Sequence, residues 1–421
     1  MSHFAKRFTG LSGIASLMED LGDALNQNPD IIFMGGGNPA HILAFERCVA
    51  QHLQSITQDT QRLHKLIGEY QPPQGDPSFL SVLADFFSQQ YGWAISPKNI
   101  AISNGGQSAF FTLFNMLAGK TVEGSSKTIL LPMVPDYLGY ADAGLDVEMF
   151  QSRRPNIQLI NEMFFKYAVD FDHLELDETT AAICLSRPTN PSGNLVTDDE
   201  IKRLKYLCDQ HRIPLMIDAA YGKPFPGVTF VEHELHWDEN TILILSLSKL
   251  GLPGVRTGIV IAHEDIIQGF SRATASLSLA PSNLGPAICK SLILSQDLMR
   301  LSQEVIRPYY KEKMQQTIDY LGEVLKSLPV KIHIPEGAFF LWLWFQDLPI
   351  SSQQLYMRLK QRGVLVLSGH HFFQALGDDP WAHREQCIRL SYCQPWEKVK
   401  QGVDILVEEL LNIYEELTPT L

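Results

Sequence analysis

Between about residue 98 and residue 262, short apolar runs alternate with amphipathic stretches. The runs are NIAIS (99–103), TILLP (128–132), AAICLS (181–186), IPLMID (213–218), TILILS (241–246) and GIVIA (258–262). Unbroken apolar runs bounded by turn residues read as strands buried on both faces, and their alternation with helical segments predicts a mostly parallel α/β sheet. QSAFFTLFNMLAG (107–119) predicts a helix directly after the first strand. VTDDEIKRLKYLCDQH (196–211) predicts another, with Thr197 and Glu200 as its capping box and Ile201, Leu204 and Leu207 on one face. The segment 298–328 predicts one long helix bent near Pro308, whose ring cannot continue the hydrogen-bond ladder. KIHIP, GAFFLWLWF, LYMRLKQRG, VLVLS, CIRLSYC and a last helix, VKQGVDILVEELLNIYEEL, follow. This mixed pattern predicts a smaller α+β domain. The expected division is a large domain over 41–299, a small one over 300–421, and an N-terminal segment, 1–40, against the small domain or a second subunit.

Composition narrows the function classes. The chain has 421 residues, enough for two cores, and 47 acidic against 34 basic residues, a net charge of −13. Without a basic cluster, a nucleic-acid surface is excluded. The longest apolar runs fall short of the ~20 residues of a membrane span, and the N-terminus lacks the apolar core of a signal peptide. Six cysteines are widely spaced with no C-x-x-C, the usage of a reducing cytoplasm. A cytoplasmic protein is expected. His370 and His371 are adjacent and cannot aim at one ion, so no metal site is expected.

The strand ends carry the chemistry. In an open α/β sheet, ligands bind outside the carboxyl ends of the strands. NIAIS is followed by Asn104, Gly105, Gly106 and Gln107 and then a helix, which offers backbone N–H groups to an anion. AAICLS runs into Arg187 and Asn190, IPLMI ends in Asp218 with Tyr221 three residues on, and TILIL ends in Ser246, Ser248 and Lys249 with Arg256 close behind. A buried ammonium is costly unless paired or neutralised, so Lys249 needs a chemical reason for its place. Taken singly, each residue has a plainer reading: Lys249 as a loop lysine, Asp218 as a strand-end cap, Tyr137 as core, Arg389 as half of an internal ion pair.

Taken together they resemble the fold-type-I pyridoxal-phosphate aminotransferases of class I and II. S-L-S-K followed by P-G-V-R, N-P-S-G, D-x-x-Y and I-R-L (388–390) stand in that family's order. The resemblance implies a seven-stranded-type sheet sandwiched by helices, plus a smaller α+β domain. It implies an imine between Lys249 and pyridoxal phosphate, with Lys249, once released, as general base. Asp218 then keeps a proton on the pyridine nitrogen. Asn190 and Tyr221 face the phenolate oxygen, and Tyr137 stacks on the ring. Gly105, Gly106, Gln107, Ser246 and Arg256 hold the phosphate, although Gly106 lacks the hydroxyl that many relatives place there. Tyr70, in EYQPPQG (69–75), reaches the phosphate of a neighbouring subunit, so a homodimer is implied. Arg389 takes the substrate carboxylate through a planar fork, Asn190 also binds substrate, and Gly37 and Asn38, in MGGGNPA (34–40), belong to a segment that closes over it.

Longer strings, SRPTNPSGN (186–194), DAAYGKPFPG (218–227), EGAFFLWLWF (336–345) and GHHFF (369–373), resemble the branch of the family that exchanges an amino group between L-valine and pyruvate, giving 3-methyl-2-oxobutanoate and L-alanine. Another amino-acid preference, or a carbon–sulfur β-lyase on the same site, is the alternative, separated by whether an amino acceptor is needed. A ligand-sensing module fused to a DNA-binding head needs a basic N-terminal domain. Fewer than 40 residues precede GGGNP.

Overall fold

The computed structural model describes residues 13–146, 148–377 and 379–416. The apolar runs become the large sheet. Its strands lie in the order Ile100–Ser103, Gly258–Ile261, Thr241–Ser246, Leu215–Asp218, Thr180–Ser186 and Ser126–Leu131, with Phe150–Ser152 also paired to the last and the short Gly119–Lys120 on its flank. Within the run from Ile100–Ser103 to Phe150–Ser152, Gly258–Ile261 alone is antiparallel to its neighbours. The carboxyl ends of Ile100–Ser103, Thr241–Ser246, Leu215–Asp218 and Thr180–Ser186 therefore share one edge. Aliphatic side chains such as Ile102, Ile183, Met216 and Ile244 are wholly buried, as strands covered on both faces require. Helix Asp198–His211 has the expected capping box, and its buried stripe runs through Ile201, Leu204 and Cys208, with Leu207 only half-buried.

The long C-terminal segment is helical throughout and accommodates Pro308 in an unexpected way. Asp297–Arg300 leads through a π-helical turn, Leu301–Ile306, into Arg307–Val324. The N–H of Arg307 donates to the Ser302 carbonyl, five residues back. The wider turn removes the steric conflict that the proline ring creates in a regular helix.

A second sheet orders Leu367–Ser368, Cys387–Ser391, Phe340–Phe345, Val330–His333, Phe164–Ala168 and Asn156–Leu159. Its last two strands are a hairpin from the middle of the chain, which the apolar pattern does not announce. Asn156–Leu159 is largely exposed, and Phe164–Ala168 buries alternate residues only. His333 fastens the hairpin: its Nδ1–H donates to the Ile334 carbonyl at 2.8 Å, and its Nε2 accepts from the Tyr167 amide at 3.1 Å. Burial pushes this imidazole down to about 3, in keeping with the neutral tautomer that those two bonds specify.

The amino-terminal residues join the same half. Ile32 and Phe33 pair in parallel with Val364 and Leu365. Asp20, on helix Gly13–Gln27, accepts hydrogen bonds from Lys360 at 2.5 Å and from the Tyr356 hydroxyl. The Ser391 amide then holds the Met34 carbonyl at 2.7 Å, which delivers Gly35, Gly36 and Gly37 to the edge of the large sheet.

Candidate active site

Strand order fixes the spatial order of the site. Along the shared edge lie Gly105, then Arg256 leading into the antiparallel strand, then Ser246 to Lys249, then Asp218, then Asn190 beyond Ser186. A cavity of about 340 Å³ opens here, lined among others by Gly37, Asn38, Tyr137, Asn190, Tyr221, Lys249 and Arg389.

The Lys249 amine donates to the Gly37 carbonyl at 2.7 Å and stands 5.4 Å from the centre of the Tyr221 ring. Burial, and after it the Arg389 charge, lower it to about 8, with Arg256 acting in the same direction. Arg389 is itself buried. Its Nη1 donates to Asn190 Oδ1 and its Nη2 to the Gly35 carbonyl, both at 2.7 Å, while the guanidinium lies 4.0 Å from the Phe340 ring centre. Its buried Nε has no partner among the described residues, so a donor remains for an anion.

Asp218 sits two strands from Arg256. Burial raises its carboxyl to about 6, opposed by the Ala220 amide on Oδ1 at 2.9 Å and the Tyr140 hydroxyl on Oδ2 at 2.9 Å. Tyr140 and Asp136 escape a reading of sequence alone, although both fall in VPDYLGY (134–140). Asp136 is fully buried and accepts from the Tyr137 amide at 2.6 Å, the Ser186 amide at 3.1 Å and the Ser186 hydroxyl. Ser186 Oγ in turn accepts from the Asn190 amide at 3.2 Å. Asp136 thus positions the backbone on both sides of the cavity. The signal available in sequence was a second tyrosine three residues after Tyr137, in the same short motif.

At the other end, Gly105 has a φ of 92° and caps helix Gly106–Leu117. A Cβ there would lie 2.3 Å from Arg256 Nη2, so only glycine lets the guanidinium close over the helix N-terminus. Ser246 Oγ accepts from the Ser248 amide at 3.2 Å, and Arg256 reaches Ser248 Oγ at 3.4 Å. Gly106 has no side chain to add. The Gln107 amide nitrogen is spent on the Gly139 carbonyl at 3.0 Å, where it holds the turn carrying Tyr137. Tyr70 does not join the others: it is 85% exposed and outside the cavity of its own chain.

The sequence profile of the family described as aminotransferase class I and II matches residues 46–406. The valine–pyruvate aminotransferase of Escherichia coli K12 is 49% identical over 415 residues, 99% of both chains. Among solved structures, a chain from Psychrobacter arcticum 273-4 superposes with a TM-score of 0.95 at 39% identity, covering 98% of this chain and 99% of that one. The valine–pyruvate aminotransferase of Salmonella typhimurium LT2 superposes with a TM-score of 0.88 at 47% identity, covering 96% and 100%. The chain belongs to the aminotransferase class I and II family. Its cofactor is pyridoxal phosphate.

The residues present fit that group. A helix N-terminus and a guanidinium suit a phosphate at one end of the edge, a buried carboxylate suits a pyridine N–H two strands away, and an amine of lowered basicity lies between them. If Tyr140 positions Asp218, Tyr140→Phe removes a charge-assisted bond of about 1.5–3 kcal/mol. Losing that donor raises the Asp218 pKa, since the bond favours the charged form. The expected outcome is a fall in kcat of roughly 10–100-fold with little change in KM and an acidic limb of the pH–kcat profile moved to higher pH. An unchanged profile removes Tyr140 from this role.

Proposed function

We propose that this protein exchanges an amino group between L-valine and pyruvate, giving 3-methyl-2-oxobutanoate and L-alanine. The observation that carries the substrate pair is the 49% identity over 99% of both chains with the Escherichia coli enzyme of that name. When bound, pyridoxal phosphate supplies an aldehyde that captures amines and a ring that withdraws electrons from the substrate α-carbon.

The chain's own residues do the rest. Lys249 Nζ, uncharged above about pH 8, holds the cofactor and then takes the proton from the substrate Cα. Asp218 keeps a proton on the ring nitrogen and is held by Tyr140 and Ala220. Asn190 and Tyr221 serve the phenolate side, Tyr137 covers the ring, and Gly105, Gly106, Gln107, Ser246 and Arg256 hold the phosphate, Gln107 through its backbone. Arg389 binds the substrate carboxylate, its fork already aimed by Asn190 and Gly35. Gly37 and Asn38 close the cavity from above Lys249. We place the domain boundaries near residues 40 and 299, with the hairpin 156–168 lent to the small domain's sheet.

We further propose a cytoplasmic homodimer in which Tyr70 completes the partner's phosphate site. Ile67 and Tyr70 are 77% and 85% exposed, and Asn283 ties their segment, through the Leu66 and Glu69 carbonyls, to the neighbourhood of the exposed Leu279 and Leu284. Such an apolar face suits a second copy. The free cysteines suit a reducing compartment, and no described helix is long and apolar enough to cross a membrane.

Four measurements test this reading. Incubation with L-valine and pyruvate should yield 3-methyl-2-oxobutanoate and L-alanine in equal amounts by mass spectrometry, and Lys249→Ala should abolish turnover. Keto acid released with ammonia and no need for pyruvate would point to a lyase, and normal turnover by Lys249→Ala would sink the mechanism. Sedimentation should give twice the 47.4 kDa chain mass. Tyr70→Phe should weaken cofactor retention, whereas a fully active monomer would rule out the shared site.

A further inference from the structure

Away from the cavity, helix Leu43–Gln58 places Cys48 and His52 four residues apart on one face. Residues at that spacing are neighbours on a helix surface. The turn before helix Asp297–Arg300 brings Asp297 against them, so that one ligand atom from each of Cys48, His52 and Asp297 lies within 4.8 Å of the other two. We propose that these three residues form a site for a thiophilic divalent cation, Zn²⁺ by its chemistry, which clamps helix Leu43–Gln58 to the start of helix Asp297–Arg300.

Three observations support this. The ligand set is one soft sulfur, one imidazole and one carboxylate, a combination that suits Zn²⁺ and not Mg²⁺ or Ca²⁺. The imidazole is already oriented by a neighbour: His52 Nδ1 lies 2.7 Å from Ser291 Oγ, which turns Nε2 toward Asp297 Oδ2 at 3.0 Å. Without a metal, Nε2–H donates to Asp297 and Nδ1 accepts from the Ser291 hydroxyl; a metal on Nε2 would move the ring proton to Nδ1, where Ser291 Oγ can accept it. Finally, in a tetrahedron of ordinary Zn–N and Zn–O bonds those two atoms stand about 3.3 Å apart, so His52 Nε2 and Asp297 Oδ2 need to part by only a few tenths of an ångström.

The remaining contacts of Asp297 are compatible with this. Ser295 Oγ donates to Oδ2 at 2.8 Å, and Arg300 donates to Oδ1 through Nη2 at 2.5 Å and Nε at 3.1 Å, which keeps the guanidinium on the oxygen away from His52. All three ligands are partly shielded: Cys48 is half-buried, and the side chains of His52 and Asp297 are 14% and 22% exposed. Metal capture must displace the Cys48 thiol proton and should strengthen as pH rises. The clamp also bears on the reaction centre. Phe45, on the same helix, packs where a Cβ on Gly251 would come within 2.6 Å, two residues beyond Lys249.

The test uses the cofactor-loaded protein, stripped with a chelator and titrated with Zn²⁺ by calorimetry and with Co²⁺ by absorption. The expected result is one equivalent per chain, a thiolate-to-Co²⁺ charge-transfer band with the intense visible bands of tetrahedral Co²⁺, and a melting temperature raised by Zn²⁺. Cys48→Ser should lose the charge-transfer band and the thermal shift and weaken Zn²⁺ by more than the roughly 10–100-fold expected of Ser291→Ala. No uptake at one equivalent would identify His52 and Asp297 as an ordinary ion pair and overturn the proposal. So would uptake of equal strength in Cys48→Ser.

Discussion

Lys249, Asp218 and Arg389 are ionisable and meet where the two sheets face each other, Asp218 and Arg389 buried and Lys249 half-buried, and the cost of that desolvation organises much of what surrounds them. Isolated charges in such a place cost several kcal/mol each. The structure offsets the cost with bonds aimed at particular atoms: Gly37 on the lysine, Ala220 and Tyr140 on the aspartate, Gly35 and Asn190 on the arginine. Several of those partners come from segments that must cross between the two sheets. The N-terminal strand, the VPDYLGY turn and the C-terminal strand Cys387–Ser391 converge because they satisfy the same small group of charges.

That convergence links fold to chemistry. A lysine surrounded by water would stay charged near neutral pH and could neither attack an aldehyde nor accept a proton. Here burial comes first and the neighbouring Arg389 second in lowering its basicity, while Asp218 opposes them from the next strand. Arg389 therefore has two effects from one position: it offers an unpaired donor to a carboxylate, and its charge lowers the basicity of the lysine. Asn190 fixes it for both.

Much of this was legible in the chain. The apolar runs announced the strands, and the residues directly after them, Gly105, Asn190, Asp218 and Lys249, announced the site, because a parallel sheet collects strand ends on one edge. What stayed hidden were partners that act from a distance. Tyr140 meets Asp218 across 78 positions, and Arg389 meets Asn190 across 199. The hairpin 156–168 was missed because half its residues face solvent, which dilutes the apolar signal. Pro308 was expected to bend a helix, and the π-helical turn that precedes it was not foreseen. Asp297 lies 245 positions from His52, so no local spacing could have brought it to mind as a ligand.

Burial beside Arg389 lowers Lys249 to about 8, so that a reactive neutral fraction exists near neutral pH where an ordinary lysine has almost none. The most direct check is the pH dependence of labelling at Lys249 by an amine-reactive reagent in the cofactor-free protein, read by mass spectrometry. The structure predicts a half-point at about 8, with the amine reactive above it and protonated below. A half-point near the ordinary lysine value of about 10.4 would contradict the account.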